Sequence, residues 1–219
     1  MTSLSYFIAG CGHFGKQAVK QLLGKSRRSQ IVVVDKDKEA LQTVSSLPVE
    51  VIAGEGVHCL DHLLSQGRNF DYIVPAVPFH FILEFILAKM TPWGAKRDVI
   101  PSLSGLPNPI KGKTGDLYTS LADFLCPEDC PEPSTYCSFT GRKRPKPLYK
   151  LLMETRGSFE PRVIRSYQLG LGVGGIRLKT LLDLVEDVRK RKPTDPLLLI
   201  STASRCHGVT SALSLRSVD

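Results

Sequence analysis

Apolar residues along this chain alternate between short unbroken runs and stripes of helical spacing. The first run, Tyr6 to Ala9, gives way to three glycines and then to Ala18, Val19, Leu22 and Leu23, which fall on one face of a helix. "QIVVVDKD" (30–37) is a second run, followed by "VEVIAGEG" (49–56) and "FDYIVPAVP" (70–78), with helical segments between them. A helix is predicted over "FHFILEFILAKM" (79–90). Strands and helices alternating in this way specify an α/β fold with a doubly wound parallel sheet.

Beyond residue 90 the pattern breaks. A short strand is predicted at Asp98 to Ile100, then many turn formers, "LYTSLADFL" (117–125) and a stretch rich in cysteine and proline. Regularity returns with "PRVIRSYQL" (161–169), a strand, and "GLGVGG" (170–175), a glycine-rich turn that also reads as a second anion-binding loop. The helix "IRLKTLLDLVEDVRKRK" follows, with Leu178, Leu181, Leu182 and Val185 placed on one face; Pro193 and Pro196 stop it, and "LLLISTA" (197–203) is a final buried strand.

The glycines of the first turn carry chemistry. Gly10, Gly12 and Gly15 spell G-x-G-x-x-G between a strand and a helix. Gly10 permits the tight turn, Gly12 lets the backbone approach a pyrophosphate, and Gly15 allows helix and strand to pack closely. The intervening Cys11, His13 and Phe14 belong to the same loop, and the phosphate rests on the helix N-terminus. Asp35, twenty residues after Gly15, stands where a carboxylate accepts hydrogen bonds from the adenosine ribose, with Lys36 beside it. A carboxylate there repels a 2′-phosphate, so NAD(H) is favoured over its 2′-phosphorylated form.

The chain is therefore divided into a Rossmann-like dinucleotide-binding half (1–100), an irregular cysteine- and proline-rich insertion (101–160), and a β-α-β segment (161–219) that continues the same sheet. A separate second α/β lobe is the alternative.

"IAGCGHFGKQAVKQLL", "VVVDKDKEAL" and "VIAGEGVHCLDHLL", in that order, resemble the TrkA-N (RCK N-terminal) family of NAD-binding regulatory domains over residues 4 to about 80. The family usually has Gly-Asp after its third strand; here Gly54-Glu55 stands in that place, which makes Glu55 a candidate nucleotide contact. The resemblance implies ligand sensing, control of potassium transport or another redox-responsive partner, and a homo-oligomer.

Composition narrows the rest. An apolar fraction of 42% and a charged fraction of 23% over 219 residues fit a globular protein with a core of its own. The most apolar segment, 79–87, is too short to cross a bilayer and is interrupted by His80 and Glu84, and the N-terminus lacks a secretory leader; a cytoplasmic location is expected. The formal charge of +8 is concentrated in "GRKRPKPLYK" (141–150) and "RKRK" (189–192) without interleaved aromatics, so nucleic acid is not expected as a partner.

Six cysteines in a reducing compartment read as metal ligands or reactive thiols. Cys126, Cys130 and Cys137 are spaced C-x3-C-x6-C in a loop stiffened by prolines, a soft-ligand set suited to zinc or an iron–sulfur cluster. Cys206, after the last predicted strand, is the proposed fourth ligand, with His207 as its substitute. His58 and His62, at i and i+4, form a second but sparser zinc reading. "GKTG" (112–115) is no Walker loop, because Pro107 stands where its first glycine belongs.

Two functions follow. One is an NAD(H)-binding regulatory or redox-sensing protein with a cysteine-ligated metal. The other is an NAD-dependent oxidoreductase with zinc or an iron–sulfur cluster near the cofactor. No tyrosine is followed four residues later by lysine, so the short-chain dehydrogenase arrangement is absent, and only His13 and His80 lie where catalysis would occur.

Overall fold

The run of β-branched residues in 30–35 and the apolar run before Gly10 become the two central strands of a parallel sheet, buried on both faces as such strands are. The computed structural model describes residues 3–144 and 146–217. Its first half contains β1 (Ser5–Ala9), α1 (His13–Lys25), β2 (Gln30–Asp35), α2 (Lys38–Gln42), β3 (Glu50–Ala53), α3 (Gly56–Ser65), β4 (Tyr72–Pro75) and α4 (Phe81–Met90). These match the predicted elements closely. The strands lie parallel in the order β3-β2-β1-β4, the half-Rossmann arrangement.

The second half contains β5 (Ala95–Asp98), β6 (Ile110–Lys111), β7 (Leu117–Ser120), α5 (Leu148–Met153), β8 (Phe159–Arg165), β9 (Tyr167–Gly170), β10 (Val173–Arg177), α6 (Leu178–Arg189), β11 (Leu197–Ala203) and β12 (His207–Leu215). The C-terminal segment does not simply continue the first sheet. Only β10 and β9 join it, antiparallel, beside β4. β8, β11 and β12 build a second sheet in the order β6-β7-β12-β11-β8, with β5 paired to the far half of β12. One predicted strand, 161–169, is in fact two, broken at Ser166 as the chain passes between sheets. β12 has no counterpart in the sequence reading, because "HGVTSALSL" mixes hydroxyls and small residues without a clear apolar alternation.

One continuous core joins the sheets. Phe7, Val32, Ile73 and Ile176 from the first sheet, and Leu198, Ile200 and Leu213 from the second, close on α3, α4 and α6. α4 is buried nearly all round, as its uniformly apolar sequence requires. On α6 the buried residues are Leu178, Leu181, Leu184, Val185 and Val188, whereas Leu182 is half exposed. At 3.6 residues per turn, Leu182 sits about a quarter-turn off that stripe, so the predicted face was rotated. The other face of the first sheet packs α1 through Ala18, Val19 and Leu22.

"GLGVGG" proves to be the tight connection of the β9–β10 hairpin, with Gly172 at φ +67°. No helix opens there, so it lacks the N-terminal dipole that an anion loop needs. α6 starts only after β10 ends.

Candidate dinucleotide site and adjoining groove

The loop between β1 and α1 is built as its spacing predicts. Gly10 adopts φ +99°, and a Cβ there would meet the Ala76 carbonyl oxygen at 2.4 Å. A Cβ on Gly15 would lie 2.0 Å from the Gly10 carbonyl oxygen, so helix and loop touch backbone to backbone. At Gly12 nothing stands within 4 Å, which leaves the face open to a ligand. The three glycines thus divide into two that are sterically required and one that is spatially free.

Asp35 ends β2 with its carboxylate against this loop. Oδ2 accepts from the Cys11 backbone N–H at 2.5 Å and Oδ1 from the Asp37 backbone N–H at 2.9 Å. Each oxygen keeps a lone pair for a ribose hydroxyl. Cys11 itself is fully buried, its Sγ 3.3 Å from the Ala40 carbonyl, and burial first, then Asp35, pushes its thiol pKa up. Its side chain packs, and its N–H is spent on Asp35. Lys36 is solvent-exposed. Glu55 caps α3 by accepting from the His58 backbone N–H at 2.9 Å, an ordinary N-cap role.

His13 and Phe14 open α1 and face the insertion. His13 Nε2 lies 2.7 Å from Glu128 Oε2, and Gln17 Nε2 donates to the carbonyls of Glu128 and Leu171 at 3.0 and 3.1 Å. The segment 126–130 is also tied to the β9–β10 hairpin: Gln168 Nε2 and the Gly172 N–H both donate to the Cys130 carbonyl. Gly172 has no room for a Cβ, since the Glu128 carbonyl oxygen would be 1.6 Å away.

Cys126, Cys130 and Cys206 line one cavity of about 370 Å³ together with Phe14, Arg144 and His207. Cys137 does not line it. It is buried in its own turn, where the Thr140 hydroxyl and the backbone N–H groups of Thr140 and Phe139 hold its thiol pKa below the usual range. Cys206 is buried beneath Arg144, which donates to its Sγ; burial pushes the Cys206 thiol up to about 11 against that contact. Burial and then neighbouring Cys130 raise Cys126 as well. Among the described residues no three or more His, Cys, Asp or Glu side chains gather as a metal ion requires. Cys130 and Cys137 both lie close enough to Cys126 to act on its thiol, and Cys130 likewise acts on Cys206, while Arg144 covers the Cys206 sulfur. His58 and His62 do not assemble a site either; His62 Nε2 meets Gln66 at 3.0 Å.

A second cavity of about 370 Å³ adjoins the first, sharing Ser166, Gly174, Ser204 and His207. Its other wall includes Pro75 and Val77, just past the end of β4. β4 lies beside β1, whose end begins the glycine loop, and the Ala76 N–H donates to the Ala9 carbonyl at 2.7 Å. The two cavities thus form a groove outside the carboxyl ends of the strands, where open α/β sheets take their ligands.

Thr202 and His80 line this second cavity and open into a buried polar chain that the sequence did not reveal. His80 Nδ1 is 2.7 Å from Ser211 Oγ, and its Nε2 is 2.9 Å from Thr202 Oγ1. Ser211 donates to Asp116 Oδ1, which also receives Arg97 at 2.5 Å, while Thr114 donates to Oδ2. Arg97 continues to Glu84. Burial pushes the His80 pKa down to about 4, so the imidazole is neutral. Burial would raise the Asp116 carboxyl, but hydrogen bonds from Ser211, Thr114 and Arg97 outweigh it and the net pKa is lowered. Sequence separations of 95 to 131 residues leave no local spacing by which to find such a chain.

No helix among the described residues is long and apolar enough to cross a membrane. Residues 6–67 match the TrkA-N domain, a Rossmann-type dinucleotide-binding domain, as the glycine loop and strand order require. A protein of Archaeoglobus fulgidus described as "Uncharacterized protein" is 29% identical over 94% of this chain and 97% of its own length. No solved structure matches the chain. Residues 82–216, which span α4, the insertion and the whole second sheet, match the family model described as "Uncharacterized protein, C-terminal domain", and the chain belongs to that family.

Proposed function

We propose that this is an NAD(H)-binding redox-sensing protein in which the dinucleotide state is read by the cysteine-lined groove. The observation that carries the reading is the cavity itself: Phe14 of the glycine loop lines it together with Cys126, Cys130 and Cys206. Gly10, Gly12 and Gly15 shape the phosphate site, Asp35 receives the ribose, and the first turn of α1 at His13 supplies the anion-binding end. The cysteines enter as thiols; zinc or iron found at one atom per chain in anaerobically purified protein would instead restore the four-cysteine centre. Residues 101–160 serve as the insertion that brings Cys126 and Cys130 to the dinucleotide, and the β11–β12 turn brings Cys206. A homo-oligomer and a redox partner or membrane transporter as its target belong to the same reading.

Calorimetric titration with NAD+ and NADH tests the core of this proposal. Binding of either, weakened in Asp35→Ala, supports it. Absence of binding by both ends it.

One observation favours a second reading, an NAD-dependent oxidoreductase. The polar chain from Asp116 to Thr202 reaches the groove beside the β1 and β4 ends, and an enzyme of this class needs a proton acceptor there.

A further inference from the structure

The donors in the buried chain fix its direction. Asp116, ionised and held by Arg97, only accepts, so the Ser211 hydroxyl proton goes to it. Ser211 has no second proton to give, so its oxygen accepts from the Nδ1–H of His80. The neutral ring then has Nε2 as a bare acceptor, and the proton it receives is that of Thr202. Every proton points inward, from the groove toward a fully buried carboxylate.

Thr202 ends this chain at partly exposed backbone on β11, facing α4 in the same register as Leu198 and Ile200. Its hydroxyl proton is committed to His80, so its oxygen lone pairs face the cavity as acceptors. His80 occupies the N-cap position of α4 yet makes no capping bond, because both ring nitrogens are used in the chain. Packing alone does not explain this arrangement: a core histidine between two hydroxyls needs no carboxylate–arginine pair beyond them, and burying that pair is costly.

We propose that Thr202 is the proton-accepting catalytic residue of the groove, and that the substrate is a small, uncharged secondary alcohol oxidised by NAD+. The inference rests on the oxidoreductase reading above. In the step, the substrate hydroxyl donates to Thr202 Oγ1 while the carbinol C–H bond breaks and its hydride passes to NAD+, giving NADH and a carbonyl. The Thr202 proton moves to His80 Nε2. The resulting imidazolium is transient: it is balanced across Ser211 by the Asp116 carboxylate and hands its proton back through Thr202, whose other proton passes to water in the groove. Tyr118 and Val209 give the cavity an apolar wall, while Ser166, Ser204 and His207 give it hydrogen-bonding groups, a lining suited to a small hydroxylated molecule.

The test uses the full chain with NAD+ and a panel of small, uncharged secondary alcohols, with turnover read as NADH absorbance. The expected result is turnover that falls about 100-fold or more in kcat for Thr202→Val, the range of general acid–base catalysis, with NAD+ affinity by calorimetry unchanged. Thr202→Ser restores most of it, and the wild-type rate shows a solvent deuterium isotope effect that Thr202→Val lacks. Ser211→Ala, which interrupts the chain away from the cavity, lowers kcat without raising KM. Thr202→Val retaining the wild-type rate, or a wild-type protein that binds NAD+ but oxidises none of the panel, overturns the proposal. Failure to bind NAD+ at all is a separate outcome that ends the dinucleotide reading itself. Nitrogen NMR of the His80 ring gives an independent readout: an Nε2–H tautomer contradicts the chain's direction whatever the kinetics.

Discussion

His13 and Glu128 meet at 2.7 Å across 115 residues of chain, joining the first turn of α1 to the cysteine loop. Both side chains are more than half exposed, so the pair adds little to stability. Its importance is positional. The carboxylate lies at the helix end proposed to receive a pyrophosphate, and two anions there repel each other. Glu128→Gln is expected to bind NADH about two- to fivefold more tightly, within the 0.2–1 kcal/mol typical of exposed charges, with an unchanged melting temperature. Equal affinities by calorimetry would place Glu128 beyond the reach of the phosphates.

On the proposed redox-sensing reading, the same contact couples nucleotide to thiols. Cys126 and Cys130 flank Glu128, so NADH that displaces the carboxylate loosens the segment bearing both. Iodoacetamide labelling of Cys126 and Cys130, read by mass spectrometry, is expected to speed up with NADH, while buried Cys206 stays slow in both states.

Gly12→Ala and Gly15→Ala separate fold from function. The first adds a methyl in open space, and stability should change by no more than about 0.5 kcal/mol, yet dinucleotide binding should be lost. The second drives a Cβ into the Gly10 carbonyl at 2.0 Å and should cost about 1–3 kcal/mol. Urea denaturation distinguishes the two.

Acid should unfold the protein through His80. Its pKa is about 4 when folded against 6.5 as a free side chain, so below pH 6.5 the unfolded chain binds the extra proton. Stability is full above pH 6.5 and is lost as pH falls toward 4, about 2 kcal/mol of it by pH 5. Replacing His80 with Gln should flatten this slope while lowering stability at pH 7. An unchanged slope would mean that the imidazole is not the titrating group.

Gly172→Ala attacks the clamp from the other side. With φ +67° and the Glu128 carbonyl oxygen 1.6 Å from where the added methyl would stand, the hairpin cannot hold the loop. Faster alkylation of Cys126 and Cys130 without NADH is the expected outcome.

The glycine loop was legible because its three positions answer to local sterics, and Asp35 because a strand delivers it at a fixed distance. Glu55 fits the same pattern and also caps α3, because a carboxylate before a helix satisfies orphan N–H groups whether or not a ligand is present. The second sheet was hidden for a different reason. Its strands pair across long separations, and β12 carries a hydroxyl, Ser211, on the face that holds His80. Cysteine spacing suggested a metal but not the Arg144 that covers Cys206, because nothing in "GRKRPK" distinguishes an arginine bound to sulfur from one in water.

β12 pairs with β7 over its first half, with β5 over its second, and with β11 along its other edge. It is also made after all three. During synthesis the parallel sheet can pair its own strands early, but the second sheet lacks its central member until residues 207–215 emerge. Until then β5, β7 and β11 have open edges and the apolar faces of α4 and α6 lack part of their cover. The nascent chain therefore carries an aggregation hazard until β12 has emerged, and a stop codon near position 206 should leave a paired parallel sheet attached to a segment held by quality control.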